Sequence, residues 1–372
     1  MDGALEKTIS FLLFILIGVL LKKKISAGDE TNGLKSLILT IALPATIFIA
    51  LLKVKIDGNL VLFPILALGF NVILFAITPL LLAVLGIDTN SDKGRSAKLL
   101  LPSLAPGLSC FPFILEFLGD ASLAKAAMAD LGNKFFVLFL LYLVALKWHY
   151  KNADFEANSL KYKLKSLVKT LLYEPVNLFI IAALVLVSFG ITIDKIPNYL
   201  SITLTRLSFI MTPLVLIFIG LAVKIKKKQF FQLFSLLLLR ASFTLVFIAG
   251  IIFFADISVK NDILVMIAIS LSACSFWPFA HISAINLKEK KENTLDKTFD
   301  TNFALSILAL SLPISVLLIL GILTAGDTFT SIYPILILGG CLFGIGILYP
   351  IISKLKKSWV TEKSEVQMVT EK

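Results

Sequence analysis

Three polar residues with the spacing of one helical face lie inside a long apolar stretch. Asp130, Asn133 and Lys134 stand at positions i, i+3 and i+4, so a helix places them side by side. Ionisable groups inside a membrane helix cost about 2.5–3.5 kcal/mol on insertion scales and therefore indicate a function by default. We expect Asp130 and Lys134 to neutralise each other, or to take part in ion coupling, while Asn133 offers its amide to a ligand. The alternative is a buried ion pair that fixes helix packing.

Two other apolar stretches combine serine with proline. The residues SCFPF at 109–113 match SFWPF at 275–279, which is a Ser-x-aromatic-Pro-Phe pattern. A proline inside a helix removes a backbone hydrogen bond and clashes with the preceding turn, so both stretches are predicted to be interrupted. The N-termini of half-helices then present N–H groups to an anion. We expect substrate contacts at Ser109, Pro112, Ser275 and Pro278. The alternative is that the serines only satisfy the backbone.

Four further polar residues fall in or beside apolar stretches. Arg206 and Arg240 are candidate ligands of an organic carboxylate, because a guanidinium group pairs with it in a bidentate manner. Arg206 can instead extend towards the membrane surface. Asp300 and Asn302 are candidates for a cation or proton site, with capping and first-turn charge at a helix N-terminus as the alternative.

The composition defines the elements that must position these residues. The chain has 372 residues, of which 58% are apolar and 16% charged, and this excludes one water-soluble core. A transmembrane helix needs about 20 apolar residues, and eleven runs approach that length. They lie at 4–21, 34–52, 60–86, 97–118, 122–146, 175–193, 199–223, 230–255, 262–286, 294–323 and 332–353. We expect an all-α polytopic membrane protein with no room for a catalytic domain, and hence not an enzyme.

The basic residues predict the orientation of these spans. Alternate connections and the C-terminal tail, together with the span-edge residues Lys35, Lys98 and Lys297, hold 26 Lys and Arg residues, against six on the other flanks. By the positive-inside rule the N-terminus is outside and the C-terminus cytoplasmic, as in a protein of the cell (inner) membrane. The net charge of +11 is therefore mainly a topology signal. We expect its electrostatic partner to be an anionic lipid bilayer and not nucleic acid. The three cysteines lack metal-ligand spacing, so we expect no metal site.

Similar motifs recur in the two halves in the same order, at offsets of 166 to 172 residues. Each half holds five spans, an odd number, so the second enters the membrane from the opposite side. We expect two inverted five-helix repeats in which the interrupted spans 4 and 9 cross, plus one extra C-terminal helix. In that helix Gly340 and Gly344 have the spacing of a helix contact. The predicted units are 1–146, a basic cytoplasmic loop 147–174, 175–323 and 324–372.

The chain resembles the auxin efflux carrier family, within the superfamily that includes bile acid sodium symporters. The resemblance covers roughly residues 8–323 and rests on the order of LIGVLLKK at 16–23, LTIALPA at 39–45, FLGDASLAKAA at 117–127 and MTPLVLIFIGL at 211–221. It implies a ten-helix core with a substrate site at the crossing, a scaffold of spans 1, 2, 6 and 7, and elevator-like alternating access. The family usually carries an asparagine seven residues before the proline of span 4, whereas Ala105 stands there in this chain.

Together, these expectations predict a permease, that is, a secondary transporter for a small organic anion such as a mono- or dicarboxylate. It needs no resident cofactor, and the sequence leaves open whether H⁺ or Na⁺ is coupled and whether the protein is a homodimer. One alternative is a channel or membrane ligand sensor on the same fold. Another is a membrane-embedded enzyme of the prenyl-transferase kind, in which Asp296 and Asp300 would bind metal and diphosphate.

Overall fold

The computed structural model describes residues 3–25, 29–53, 58–153, 173, 175–222, 229–291 and 297–370. Within these ranges the regular structure is helical and no β-strand is present. The α-helices are α1 (Gly3–Leu21), α2 (Asp29–Leu37), α3 (Leu43–Leu52), α4 (Gly58–Val84), α5 (Asp92–Leu100), α6 (Pro106–Ser109), α7 (Phe111–Phe135), α8 (Leu141–Ala153), α9 (Pro175–Ser188), α10 (Asn198–Phe209), α11 (Met211–Ala222), α12 (Phe230–Phe254), α13 (Lys260–Ser270), α14 (Phe276–Lys291), α15 (Thr301–Ala325) and α16 (Ile332–Thr370). Single π-helical segments join α2 to α3 and α7 to α8, at Ile38–Ala42 and Phe136–Leu140.

Eight stretches among the described residues are long and apolar enough to cross a membrane. They are Ala4–Leu21, Glu30–Leu52, Leu62–Val84, Phe111–Tyr150, Asn198–Ala222, Phe230–Phe254, Thr301–Thr330 and Ile332–Ile352. Fewer qualify than the eleven expected because the fourth and ninth predicted spans are interrupted and the sixth forms a helix of only 14 residues. For the described residues, the expected all-helical architecture with several spans long and apolar enough to cross a membrane is therefore confirmed. The inverted repeat and the sidedness of the termini stay predictions.

The helix of the fifth predicted span is longer than expected. Helix α8 continues to Ala153, beyond the predicted end at residue 146, and Trp148 packs against the core. Most of the predicted basic loop 147–174 lies outside the described residues, which leave out 154–172 and 174. The division of the chain into units at this loop remains a prediction.

The helices pack mainly as two sets. In the first set α1 lies against α11, while α3 lies against α9 and α10. In the second set α4 lies against α7, and α12 lies against α16. The two sets meet where α3 contacts α7. The helices of the first set are thus separate from those of the second set, which lies next to the interrupted spans.

Glycine permits the closest helix contacts in both sets. A Cβ at Gly18 in α1 would overlap the carbonyl oxygen of Ile217, and a Cβ at Gly220 in α11 would overlap that of Ile15. In the second set, a Cβ at Gly132 in α7 would overlap the carbonyl oxygen of Pro64 in α4. Small residues let membrane helices approach backbone to backbone, and here the neighbouring atoms are rigid backbone. These positions therefore require glycine.

The extra C-terminal helix α16 is attached to α12 by serine and glycine, but not by the glycines expected. Gly340 and Gly344 are exposed, and a Cβ added at either would meet no heavy atom of the described residues within 4 Å. The contact is made instead by Gly339, whose carbonyl oxygen accepts a 2.7 Å hydrogen bond from Ser242, and by Gly346, whose carbonyl accepts one from Ser235. Gly340 and Gly344 lie off this contact face, because its two glycines are seven residues, or two helical turns, apart.

Candidate functional site

The fourth and ninth predicted spans are each interrupted by a short non-helical segment. Residues 101–105 separate α5 from α6, and residues 271–275 separate α13 from α14. Helix α5 cannot continue through Pro102, because proline excludes the helical hydrogen bond and restricts the preceding residue. Pro112 and Pro278 lie in the first turn of α7 and α14, where the missing N–H leaves no bond unmade. These prolines therefore begin half-helices and do not lie in helix interiors.

The two interruptions are hydrogen-bonded to each other. The N–H of Ala105 donates to the carbonyl of Ala273 at 2.8 Å. The N–H of Ala273 donates to the hydroxyl of Ser109 at 3.0 Å, and the N–H of Ser275 donates to the hydroxyl of Ser103 at 2.9 Å. Two stretches of backbone that lost their helical bonds thus satisfy each other, which is what their depth in an apolar protein requires. Sequence reasoning missed Ser103, because its partner is 172 residues away.

Asn133 joins the first interruption to α7. Its Nδ2 donates to the carbonyl of Leu104 at 2.9 Å, and its Oδ1 accepts the N–H of Leu104 at 3.1 Å. The same amide donates to Asp130 at 2.9 Å and accepts from Asn71 at 3.1 Å. Two donors and two acceptor positions are thereby all used. In this state Asn133 holds the backbone of Leu104 and offers no additional hydrogen-bonding group to a ligand.

The expected pair of Asp130 and Lys134 is present and buried. The Nζ of Lys134 lies 3.3 Å from Oδ2 of Asp130, and it donates to Oδ1 of Asn177 at 3.1 Å. Asn177 belongs to α9, which is in the first packing set. Lys134 therefore links α7 to α9 as well as neutralising the carboxylate. A role of Asp130 and Lys134 in ion coupling stays a prediction.

Arg240 in α12 binds the ends of both half-helices. Its Nε donates to the carbonyl of Leu101 at 2.7 Å, and an Nη donates to the carbonyl of Ser272 at 3.0 Å. These carbonyls follow the last turns of α5 and α13, where backbone acceptors lack helical partners. A planar guanidinium group can bridge two such acceptors. On the other side of the second interruption, the hydroxyl of Ser311 accepts the N–H of Cys274 at 3.2 Å.

A cavity of about 510 Å³ lies beside the two interruptions. It is lined by parts of α2, α3, α6, α7, α9, α11, α12, α14 and α15 and by both non-helical segments, and it extends to the start of α2. Its lining is largely apolar, with a few polar residues among those described, namely Thr31, Asn32, Lys35, Asp130, Asn133, Lys134, Ser275 and Ser306. A mostly apolar cavity with a few convergent polar groups is typical of a small-molecule site.

The candidate site residues divide into two groups by their place relative to this cavity. Four of them line it, namely Asp130, Asn133, Lys134 and Ser275. The described lining does not include Ser109, Pro112, Pro278, Arg206, Arg240, Asp300 or Asn302. Arg206 and Asn302 are exposed. Asp300 accepts the N–H of Phe303 at 2.9 Å and so caps α15, which corresponds to the alternative noted from the sequence.

Lys35 is a cavity residue that sequence reasoning missed. Its place at the edge of the second predicted span, 34–52, predicts a residue of the basic flank, whereas helix α2 begins at Asp29 and carries Lys35 into the cavity wall. Its Nζ lies 4.0 Å from the centroid of the Phe276 ring, a cation–π contact. Its spacing from Leu39 and Leu43, which also line the cavity, is four and eight residues. That helical spacing is the signal in the sequence by which Lys35 could have been recognised as a cavity residue.

The chain shares sequence with a protein described as a transporter. It is 26% identical over 226 residues to a protein of Methanocaldococcus jannaschii described as an uncharacterized transporter, and the match covers 59% of this chain and 68% of that protein. No protein-family model matches the chain. Together with the apolar helices, this distant relative supports a membrane transporter.

Proposed function

We propose that this protein is a secondary transporter that carries a small organic anion through the cavity beside the two interruptions. Both interruptions border one cavity, and the ammonium groups of Lys35 and Lys134 lie in the same cavity. This observation carries the proposal. Irregular backbone at membrane depth occurs where it is buried in protein or lines a cavity. Secondary transporters place their substrate sites at such interrupted helices.

The mechanism we propose is alternating access of the elevator kind. The first packing set (α1, α3, α9, α10 and α11) would be the scaffold, and the second set with the interrupted spans would move. The close backbone contacts at Gly18 with Ile217 and at Gly132 with Pro64 support rigid packing within each set. In this proposal the chain is a member of the auxin efflux carrier family, built from two inverted repeats with spans 4 and 9 crossing.

The sidedness of the cavity follows from the proposed topology. The cavity reaches Thr31 and Asn32 at the start of α2 and Phe230 at the start of α12. The positive-inside rule assigns both helix starts to the cytoplasm. The structure would then correspond to a state that opens inwards in the cell membrane, with the N-terminus outside.

The residues at the interruptions would have two kinds of role. Ser275 lies on the cavity wall, and we propose that it contacts the substrate. Asn133, Ser109 and Arg240 direct their hydrogen bonds to backbone groups of the two interruptions. We therefore propose that these three are positioning residues, which keep the interruptions in shape while the substrate binds next to them.

Counterflow into proteoliposomes tests the proposal and separates a carrier from a channel. Vesicles with purified protein are loaded with one unlabelled mono- or dicarboxylate, and uptake of the same labelled compound is measured against protein-free vesicles. A carrier gives saturable uptake that transiently exceeds equilibrium when the inside is loaded. A channel gives no such overshoot, and a ligand sensor gives no uptake. Retained counterflow after exchange of Asp296 and Asp300 for asparagine would exclude an enzyme that needs these carboxylates.

A further inference from the structure

Among the described residues that line the cavity, one cation is not balanced by a carboxylate. The charged side chains of this lining are Lys35, Asp130 and Lys134. Asp130 and Lys134 lie 3.3 Å apart and neutralise each other. The ammonium group of Lys35 lies over the face of Phe276 at 4.0 Å, and the ion pairs of the described residues do not include it.

The environment of Lys35 suits the reception of an anion. A cation–π contact holds the ammonium group in place, yet it leaves the N–H donors turned away from the ring for another acceptor. Lys35 is half-buried and stands on α2 at the end of the cavity, while Phe276 opens α14 directly after the second interruption. An arriving carboxylate would therefore meet the ammonium group beside the backbone of Ser275.

The rest of the cavity would accept an apolar body and not a second charge. The remaining wall of the cavity consists largely of leucine and aromatic side chains, among them Leu39, Phe218, Leu233 and Trp277. A second carboxylate placed there would lose its water without gaining a free counter-ion, because Lys134 is already paired with Asp130. Burial of an unpaired charge is strongly unfavourable.

We propose that Lys35, held against Phe276, is the carboxylate-binding residue of this cavity, and that the site selects a monoanion with an apolar body over a dianion of the same length. The inference rests on the proposed function. It refines that function by naming the residue that binds the charge and the number of charges that the substrate carries.

Binding of three compounds of equal chain length to the full-length protein in detergent tests the inference. The probes are hexanoate, adipate and hexanamide, and their affinities are obtained from the concentration dependence of the unfolding midpoint. The variants are Lys35→Gln, Lys35→Arg and, as a matched control, Lys260→Gln. Lys260 is an exposed lysine paired with Asp327 and lies outside the cavity lining.

For the wild type and Lys260→Gln, we expect hexanoate to bind at least tenfold more tightly than adipate or hexanamide. Loss of a charge-assisted hydrogen bond is expected to weaken hexanoate binding about 10- to 100-fold in Lys35→Gln. Lys35→Arg should retain most of the affinity, and hexanamide should not distinguish the variants.

Two results would overturn the inference and leave the proposed function intact. One is equal hexanoate affinity in the wild type and Lys35→Gln. The other is tighter binding of adipate than of hexanoate by the wild type. If the wild type binds neither carboxylate and shows no counterflow with any carboxylate, the proposed function itself fails.

Discussion

The side-chain amide of Asn133 forms two hydrogen bonds with the backbone of Leu104, one to its carbonyl at 2.9 Å and one from its N–H at 3.1 Å. Leu104 lies in a non-helical segment between two half-helices. An asparagine side chain thus replaces the helical partners that this residue has lost. The bond pattern also fixes which atom of Asn133 is oxygen, because the backbone N–H needs an acceptor and the carbonyl a donor.

Asn133→Ala should destabilise the protein because it leaves both backbone groups of Leu104 unpaired in a buried place. Each such group costs about 1–3 kcal/mol, so we expect a loss of about 2–5 kcal/mol in the free energy of unfolding in detergent. Asn302→Ala, at an exposed asparagine, is the control and should change stability by less than about 0.5 kcal/mol. Wild-type stability of Asn133→Ala together with weakened substrate binding would show that Asn133 is a substrate ligand.

Arg240→Lys tests whether the guanidinium group is needed for its shape or only for its charge. A lysine cannot bridge the carbonyls of Leu101 and Ser272 in the manner of a planar fork. We expect a loss of about 2–4 kcal/mol in unfolding free energy, with little change in the KM of the remaining counterflow. The matched exchange at the exposed Arg206 should have no effect on stability. A raised KM with unchanged stability in Arg240→Lys would instead assign this residue to substrate binding.

The backbone contacts between α1 and α11 predict that Gly18→Ala and Gly220→Ala are unfavourable. Each added methyl group would overlap a carbonyl oxygen of the facing helix, and overpacking of this kind costs about 1–3 kcal/mol. Gly69→Ala in α4 is the control, since a Cβ there meets nothing within 4 Å. It should be neutral or stabilising by about 0.5–1 kcal/mol. The thermal unfolding midpoints of the three variants are measured in one detergent. Equal midpoints for the control and the other two variants would disprove the close contact.

Disulfide trapping tests the attachment of the C-terminal helix. With Cys341 replaced by serine, a cysteine pair at Ser242 and Gly339 should oxidise readily, because these residues are joined by a hydrogen bond of 2.7 Å. A pair at Ser242 and Gly344 should not, because Gly344 is on the exposed side of α16. Gel mobility with and without reductant, after cleavage between the two helices, reads the result. Efficient trapping of the second pair alone would mean that α16 faces α12 through the other side.

Much of the helical layout could be predicted from apolar runs and prolines. Interruptions were expected near Pro112 and Pro278, and the structure has non-helical segments a few residues before each of them, at 101–105 and 271–275. The buried pair of Asp130 and Lys134 also followed from spacing alone, because both residues lie on the same helix. Local patterns of this kind can be predicted because they depend on the geometry of a single helix and not on contacts with other spans.

The partners of the interrupted backbone could not be predicted. Ser103, Ser311 and Arg240 bind segments that belong to other spans, and single serines carry no periodic signal. Lys35 was missed for a different reason. The apolar run begins one residue before it, so its charge was counted with the flank, whereas the polar first turns of α2 extend the helix to Asp29.

The most direct measurement of the central claim is substrate protection of Cys274, which lines the cavity. In a Cys110→Ala, Cys341→Ser variant this is the remaining cysteine of the three in the chain, and its rate of alkylation by a small maleimide reports access to the cavity. The matched variant that keeps Cys110, which is fully buried and outside the described lining, controls for general opening of the protein. We predict that a carboxylate active in counterflow slows alkylation of Cys274 in proportion to its occupancy and that an inactive analogue does not. A transported carboxylate that leaves the alkylation rate of Cys274 unchanged at saturating concentration would contradict the assignment of this cavity as the substrate site.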